Sequence, residues 1–196
     1  MSDIKNIEQH YSLDERPFLE KVRGFCQLVD DRYSPYLTDF LNPREIQIVE
    51  ELAHYYNLKF FVSSTLESEE YGRVILAPEY YELDDDDFEI KRLEISYARQ
   101  FNKLTHPKVL GALINQLGLD RQVFGDIILD EEGRVQFSIA SHLASYAIMT
   151  ITKIGNVSVT LKEVSKDDWI SNQENYSQSF VLLSSMRLDN VLATVL

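Results

Sequence analysis

The sequence is poor in cysteine, glycine and proline, and it contains no long apolar run. Of its 196 residues, one is cysteine, seven are glycine and five are proline. A single thiol, Cys26, forms no internal disulfide, and so low a cysteine content is typical of the reducing cytoplasm. The amino-terminal residues have neither the basic start nor the apolar run of a signal peptide. No stretch approaches the roughly 18 apolar residues that cross a bilayer, so we expect a cytoplasmic protein without membrane insertion.

Basic residues are also scarce, and their distribution divides the chain. The formal net charge is −13, which on its own argues against a protein that binds a phosphate backbone. Residues 1–87 contain 8 basic and 20 acidic side chains. Residues 88–164, by contrast, contain 9 basic and 8 acidic side chains. Such a shift indicates separate domains, and it leaves room for a phosphate-binding surface in the second segment.

The sequence motifs of common enzymes are absent as well. There is no glycine-rich phosphate loop, HExxH, CxxC or GxSxG pattern. The four histidines are far apart in the sequence, and none has a partner at the spacing of metal ligands. We therefore expect a protein that is not an enzyme, with no catalytic residues, no cofactor and no metal site.

Residues 1–77 have the pattern of a small α+β domain. Helical spacing of apolar residues predicts one helix over residues 14–33 and a second that begins at the capping motif Asn42-Pro43-Arg44-Glu45. Two strands, over residues 58–62 and 71–77, are expected to follow. Residues 78–87 include four consecutive aspartates and are predicted to form an acidic, solvated linker.

Residues 88–164 have the pattern of a ferredoxin-like or RRM-like domain, with the order β-α-β-β-α-β. The expected strands cover residues 88–95, 125–129, 135–139 and 157–161, and the expected helices cover residues 106–117 and 141–153. We expect an antiparallel sheet with both helices on one face. The other face is expected to be free, and RNA-recognition motifs bind RNA there.

Residues 165–196 are predicted to be a polar linker followed by the start of a further helix. The linker residues are rich in serine, asparagine and glutamine. Apolar residues at helical spacing begin after Met186 and continue to the last residue without a capping signal. We therefore expect the natural protein to continue beyond this sequence.

The strongest local signal for binding is the segment between two glycines, Gly118 and Gly125. Arg121 lies between them, where a tight turn would present its guanidinium group to a phosphate. The alternative is a structural turn in which Arg121 pairs with Asp126. The further candidates for RNA contact are Lys153, Arg187, Arg134 and Phe137.

Two of these candidates lie on the predicted strand that returns to the sheet, within the segment 133–139. Arg134 is a further candidate for a phosphate contact, and Phe137 is the one aromatic residue there that could stack on a base. If Phe137 points toward the helices, it is instead a core residue. Lys153 and Arg187 are expected to lie near Arg121 and to form a small basic patch with it.

The chain resembles the YlmH family along essentially its whole length. The residues that carry the resemblance form the segments 37–45, 110–113, 118–121, 125–127 and 153–155, with the sequences LTDFLNPRE, LGAL, GLDR, GDI and KIG. In addition, the segment 186–193, MRLDNVLA, resembles the opening of an S4 RNA-binding domain. The resemblance implies an S4 domain of which this sequence contains only the opening.

The resemblance implies a bacterial protein with an N-terminal α+β domain, a central ferredoxin-like RNA-binding domain and a C-terminal S4 domain. It also implies binding of structured ribosomal RNA or tRNA on the large ribosomal subunit during rescue of stalled ribosomes, and a link to cell division. One alternative is a protein–protein adaptor that binds cell-division proteins through its acidic first domain. A third hypothesis is an enzyme that acts on RNA.

Overall fold

The computed structural model describes residues 10–65, 72–82, 89–170 and 177–182. The chain divides into two compact units, Met1–Tyr81 and Glu82–Leu196. Both contain helices and antiparallel strands, so the α+β class is as predicted. The four consecutive aspartates, Arg187 and the predicted opening of an S4 domain all lie outside the described residues.

The first unit contains two helices and a small antiparallel sheet. Its elements are α1 (Arg16–Arg32), β1 (Tyr36–Leu37), α2 (Pro43–Tyr55), β2 (Lys59–Thr65) and β3 (Gly72–Ala77). Strand β3 pairs with both β1 and β2. The predicted capping motif is confirmed, because Asn42 Oδ1 accepts the Glu45 N–H at 2.8 Å and Glu45 Oε1 accepts the Asn42 N–H at 3.0 Å.

The single cysteine lies in the core of the first unit. Cys26 is buried on α1, and burial raises the pKa of its thiol to about 12. A thiol with such a pKa is almost entirely protonated at neutral pH, whereas the thiolate is the nucleophilic form. Cys26 therefore contributes apolar packing to α1.

The second unit contains a four-stranded antiparallel sheet and two helices. Its elements are β4 (Ile90–Ser96), α3 (His106–Leu117), β5 (Ile128–Leu129), β6 (Val135–Ala140), α4 (Ser141–Thr150), β7 (Lys153–Ile154), β8 (Val157–Ser158), β9 (Thr160–Glu163) and β10 (Phe180–Val181). The strand order in the sheet is β5-β6-β4-β9, and every neighbouring pair is antiparallel. Helix α4 packs against β4, β6 and β9, and α3 packs against α4.

Three elements of the second unit differ clearly from their predicted bounds, and one of them, the strand predicted over residues 157–161, is divided between β8 and β9. The helix predicted over residues 141–153 ends at Thr150, and Lys153 begins a short hairpin of β7 and β8 instead. Gly155 has φ of 60° at the turn of this hairpin. The strand predicted over residues 125–129 is reduced to Ile128–Leu129, because the Asp126 N–H donates to the Ser177 carbonyl instead of to β6.

Neither a membrane span nor a metal cluster is found in the described part of the chain. None of its helices is both long enough and apolar enough to cross a bilayer. No group of three or more His, Cys, Asp or Glu side chains is placed there to hold a metal ion.

The turn between β5 and β6 depends on Gly133. Its φ is 85°, and a Cβ atom added there would lie 3.3 Å from the hydroxyl oxygen of Tyr97. We expect Gly133→Ala to lower the free energy of unfolding by about 1–2 kcal/mol, because a left-handed backbone disfavours any side chain. Urea unfolding measures this change.

The control for this change is Gly111→Ala in α3. A Cβ atom added at Gly111 has no neighbour within 4 Å, and alanine favours helix over glycine by up to about 1 kcal/mol. Gly111→Ala should therefore keep or raise the stability. A Gly133→Ala protein as stable as the original would contradict the role assigned to Gly133.

Candidate nucleic-acid interface

The sheet face that points away from the helices is polar and covered. Because side chains alternate along a strand, this face of β4 and β6 carries Arg92, Gln136 and Ser138, and all three are buried. Residues 165–170 lie across it. The guanidinium carbon of Arg92 stands 4.4 Å from the centre of the Trp169 ring, and Arg92 donates to the carbonyl of Ile170 at 2.9 Å. Residues 165–170 therefore occupy the sheet face that the sequence predicted to be free. The linker that the sequence predicted from residue 165 does not begin there.

Gln136 binds the backbone of the covering segment. Its Nε2 donates to the Asp168 carbonyl, and its Oε1 accepts the Ile170 N–H, both at 2.9 Å. The same Nε2 donates to Glu94 at 2.9 Å. Burial acts to raise the pKa of Glu94, but hydrogen bonds from Gln136 and Arg134 outweigh it and lower the pKa. The covering segment thus satisfies polar groups that would otherwise be buried without partners.

Arg134 and Phe137, two of the candidate RNA contacts, have structural partners. Arg134 donates to Glu94 Oε1 through Nε at 3.0 Å and through a terminal nitrogen at 2.7 Å. Phe137 is fully buried, pairs with Leu93 across the sheet and meets the Phe124 ring edge to face at 6.2 Å. The structure therefore supports the alternative in which Phe137 is a core residue.

Arg121 forms the ion pair that was the structural alternative. It lies in the 3-10 turn, pairs with Asp126 and donates to the Phe124 carbonyl at 3.0 Å. Asp126 in turn accepts the Ser177 N–H at 2.7 Å. Burial lowers the pKa of the Arg121 guanidinium group. Asp126 offsets the positive charge of Arg121, and this weakens its attraction for a phosphate.

An open groove of about 560 Å³ lies between α3 and the β7–β8 hairpin. The lining residues are Pro107, Lys108, Gly111, Ala112, Asn115, Gln116, Ile154, Gly155, Asn156 and Val157. The Gln116 side chain donates to the Lys153 carbonyl at 2.8 Å and holds the hairpin against the helix. Lys153, the remaining candidate in the described part of the chain, is exposed beside the groove.

The surface around the groove belongs to two stretches without acidic residues. Residues 95–119 and 133–162 contain no aspartate or glutamate. The exposed cations of these stretches are Arg99, Lys103, Lys108, Lys153 and Lys162. A groove with an exposed lysine and no acidic residue in its lining, on an acidic protein, is where a phosphate backbone would be attracted.

Sequence reasoning missed Lys103 and Lys108 as candidates, although the signal was present. A charge count over the whole segment 88–164 includes the acidic turn at Glu131 and Glu132, which conceals the two acid-free stretches. A charge count made separately for each helix, strand and loop reveals these two stretches. The position of Ile154, the residue after Lys153, across a groove from Lys108, however, depends on how the hairpin folds against α3.

Comparisons with known proteins agree with the resemblance seen in the sequence. Residues 84–168, which include the groove, match the family model described as "Putative RNA-binding domain in YlmH". The chain is 32% identical over 192 residues to ribosome-associated protein quality control protein P2 of Bacillus subtilis, and the match spans 98% of this chain and 74% of that protein. The solved structure of cell division protein ylmH from Streptococcus pneumoniae is 40% identical, covering 83% of this chain and 98% of that chain with a TM-score of 0.45.

Proposed function

The chain belongs to the YlmH family, and from this we propose that it is a non-enzymatic, cytoplasmic RNA-binding protein that associates with the ribosome. The observation that carries the proposal is the groove beside α3. It lies within the residues that match an RNA-binding domain. Lys108 in its lining and Lys153 next to it in the hairpin are exposed and belong to stretches without acidic residues, in a protein whose net charge is −13. Exposed cations at such a groove can bind a phosphate backbone.

The groove suits the sugar–phosphate backbone of structured RNA. Lys108 and Lys153 would contact phosphates on either side. Gly111 and Ala112 have little or no side chain, so a backbone could approach the helix closely. The amide of Asn115 can donate to and accept from a ribose 2′-hydroxyl, the group that distinguishes RNA from DNA.

The finer proposal names structured ribosomal RNA or tRNA on the large ribosomal subunit. Two observations support it. The sheet offers no stacking platform for single-stranded bases, because Phe137 is buried and residues 165–170 cover the other face. The Bacillus subtilis relative is named for ribosome-associated quality control. We propose that the present chain acts in ribosome-associated quality control, and that its part there is the rescue of stalled ribosomes.

We expect Lys108→Glu and Lys153→Glu each to weaken binding to purified large ribosomal subunits by about tenfold, since each removes a phosphate contact and adds a repelling charge. The slope of log affinity against log salt should fall by about one for each lysine. Cosedimentation across a salt series measures both quantities.

The matched control is Lys166→Glu. Lys166 is equally exposed, but it lies in the segment that covers the opposite side of the sheet. This control changes the net charge by the same amount and should leave the affinity nearly unchanged. If Lys166→Glu weakens binding as much as Lys108→Glu does, only the overall charge matters and the groove is not the site.

A second candidate function is an adaptor that binds cell-division proteins through the first unit. The charge distribution favours it, because residues 1–87 contain 20 acidic and 8 basic side chains. An acidic surface of this kind would attract a basic partner. Binding of a division protein that persists in the Lys108→Glu protein and weakens with salt would support this function. Loss of that binding in Lys108→Glu would assign it to the groove.

A further inference from the structure

The loop between β4 and α3 holds an aromatic ring in solvent. Phe101 is 83% exposed, although phenylalanine is among the residues most often buried. Arg99 and Lys103 flank it and are exposed as well. An exposed ring between cations is the arrangement with which proteins stack on nucleic-acid bases and hold the adjoining phosphates.

The ring stands on an ordered turn. The backbone N–H groups of Phe101 and Asn102 both donate to the carbonyl of Ala98 at 3.2 Å. The side-chain amide of Asn102 donates to the same carbonyl, also at 3.2 Å. Three hydrogen bonds on one carbonyl fix the backbone that carries Phe101.

Both ends of the loop are also attached to the body of the second unit. At its start, the Tyr97 hydroxyl donates to the Gly133 carbonyl at 2.8 Å, and Arg99 donates to the Glu132 carbonyl at 3.2 Å. At its end, Leu104 is buried. Little backbone freedom remains to be lost when a ligand meets Phe101, so a contact there has a small ordering cost.

We propose that Phe101 is a stacking site for one unpaired nucleobase of the bound RNA. This inference rests on the proposed function, since the rest of that RNA lies on the groove. Lys103 and Lys108 follow along the chain, the second in the first turn of α3, and would bind the phosphates next to the stacked base. The amide of Gln100, exposed beside the ring, can bond a base edge.

The surroundings of Phe101 favour a base over an apolar protein surface. The two residues on either side of Phe101 in the loop, Arg99, Gln100, Asn102 and Lys103, are all exposed and polar. Protein-docking surfaces normally combine several apolar side chains in one patch. The nearby turn contains Glu131 and Glu132, both exposed, which oppose a purely electrostatic attraction. An uncharged stacking contact adds affinity in spite of them.

The test uses the full chain and two RNA probes. One is a fully paired RNA hairpin, and the other is the same hairpin with a single bulged 2-aminopurine. The original protein should bind the bulged hairpin more tightly. Phe101→Ala should weaken binding to the bulged hairpin about fivefold or more, the effect of removing one stacked base. It should leave the affinity for the paired hairpin unchanged.

Two further variants complete the test. Phe101→Trp keeps an aromatic surface, so it should keep the preference for the bulge and quench 2-aminopurine fluorescence on binding. Tyr80→Ala removes a ring from the first unit that is 82% exposed, and it should change neither affinity. Phe101→Ala should also keep the urea midpoint of the original protein, because exposed side chains contribute little to stability.

The outcomes separate this inference from the proposed function. If the original protein and Phe101→Ala both bind the two hairpins equally, the stacking site is wrong and RNA binding by the groove stands. If Phe101→Ala keeps its affinity for both hairpins but no longer associates with the ribosome, the ring contacts a protein. This result would also overturn the inference. If the original protein binds neither hairpin, the proposed function fails and the stacking site fails with it.

Discussion

Phe137→Ala is expected to lower the free energy of unfolding of the second unit by about 3–5 kcal/mol. The phenyl ring is fully buried, with Leu93 opposite it on β4 and the Phe124 ring against its edge. Removing the ring takes away the free energy gained by its burial and leaves a cavity between the sheet and the helices. Since domains are commonly stable by only about 5–15 kcal/mol, a large part of the total stability is lost. Urea unfolding followed by circular dichroism measures the change.

Phe137→Leu separates this core role from a role in RNA binding. Leucine keeps most of the apolar volume, so the loss of stability should be clearly smaller than with alanine. The affinity of folded Phe137→Leu protein for RNA should equal that of the original. A Phe137→Leu protein that stays folded but loses RNA affinity would show that Phe137 stacks on a base after all.

Arg92→Ala should destabilise the second unit by about 2–4 kcal/mol and release the segment that covers the sheet. Arg92 bonds Ser138 at 3.2 Å and the Ile170 carbonyl at 2.9 Å, and its guanidinium group stacks on Trp169. Burial lowers the pKa of Arg92 to about 10, so the side chain is still cationic at neutral pH. Removing it takes away the hydrogen bonds and the cation–π contact together.

Fluorescence gives this prediction a local readout. Trp169 is the only tryptophan in the chain, so its emission reports on the covering segment alone. Arg92→Ala should shift the emission to longer wavelength under native conditions. Arg99→Ala, which removes an exposed arginine of the neighbouring loop, should leave both emission and stability nearly unchanged. Unchanged emission in Arg92→Ala would mean that other contacts, such as those of Gln136, hold the segment.

Local sequence signals predicted the ends of several elements correctly. The capping box of Asn42 and Glu45 places the start of α2, and Gly118, with φ of 67°, follows the last residue of α3. Each of these signals acts between residues no more than about one helical turn apart. The contacts that set these helix ends are therefore made between residues close together in the sequence.

The β7–β8 hairpin shows how a local signal can be outweighed. Apolar residues at helical spacing favoured a helix that continued to Lys153, whereas Gly155-Asn156 is typical of a hairpin turn. The turn prevailed in the structure, where Gly155 adopts a positive φ. The groove exists because of this hairpin, so the candidate RNA site could not be derived without it.

The sequence by itself determined the main helices and the longer strands, the separation of charge between the segments, and the resemblance to a family. Only the tertiary structure decided which aromatic and basic side chains are exposed to solvent and able to contact a ligand. Phe137 and Phe101 both lie between polar neighbours in sequence, yet one is enclosed and the other is 83% exposed. The difference arises from partners far along the chain: Leu93 and Phe124 enclose Phe137, while the turn on Ala98 holds Phe101 outward. Caps and turns form within a few residues, whereas burial depends on which distant elements meet.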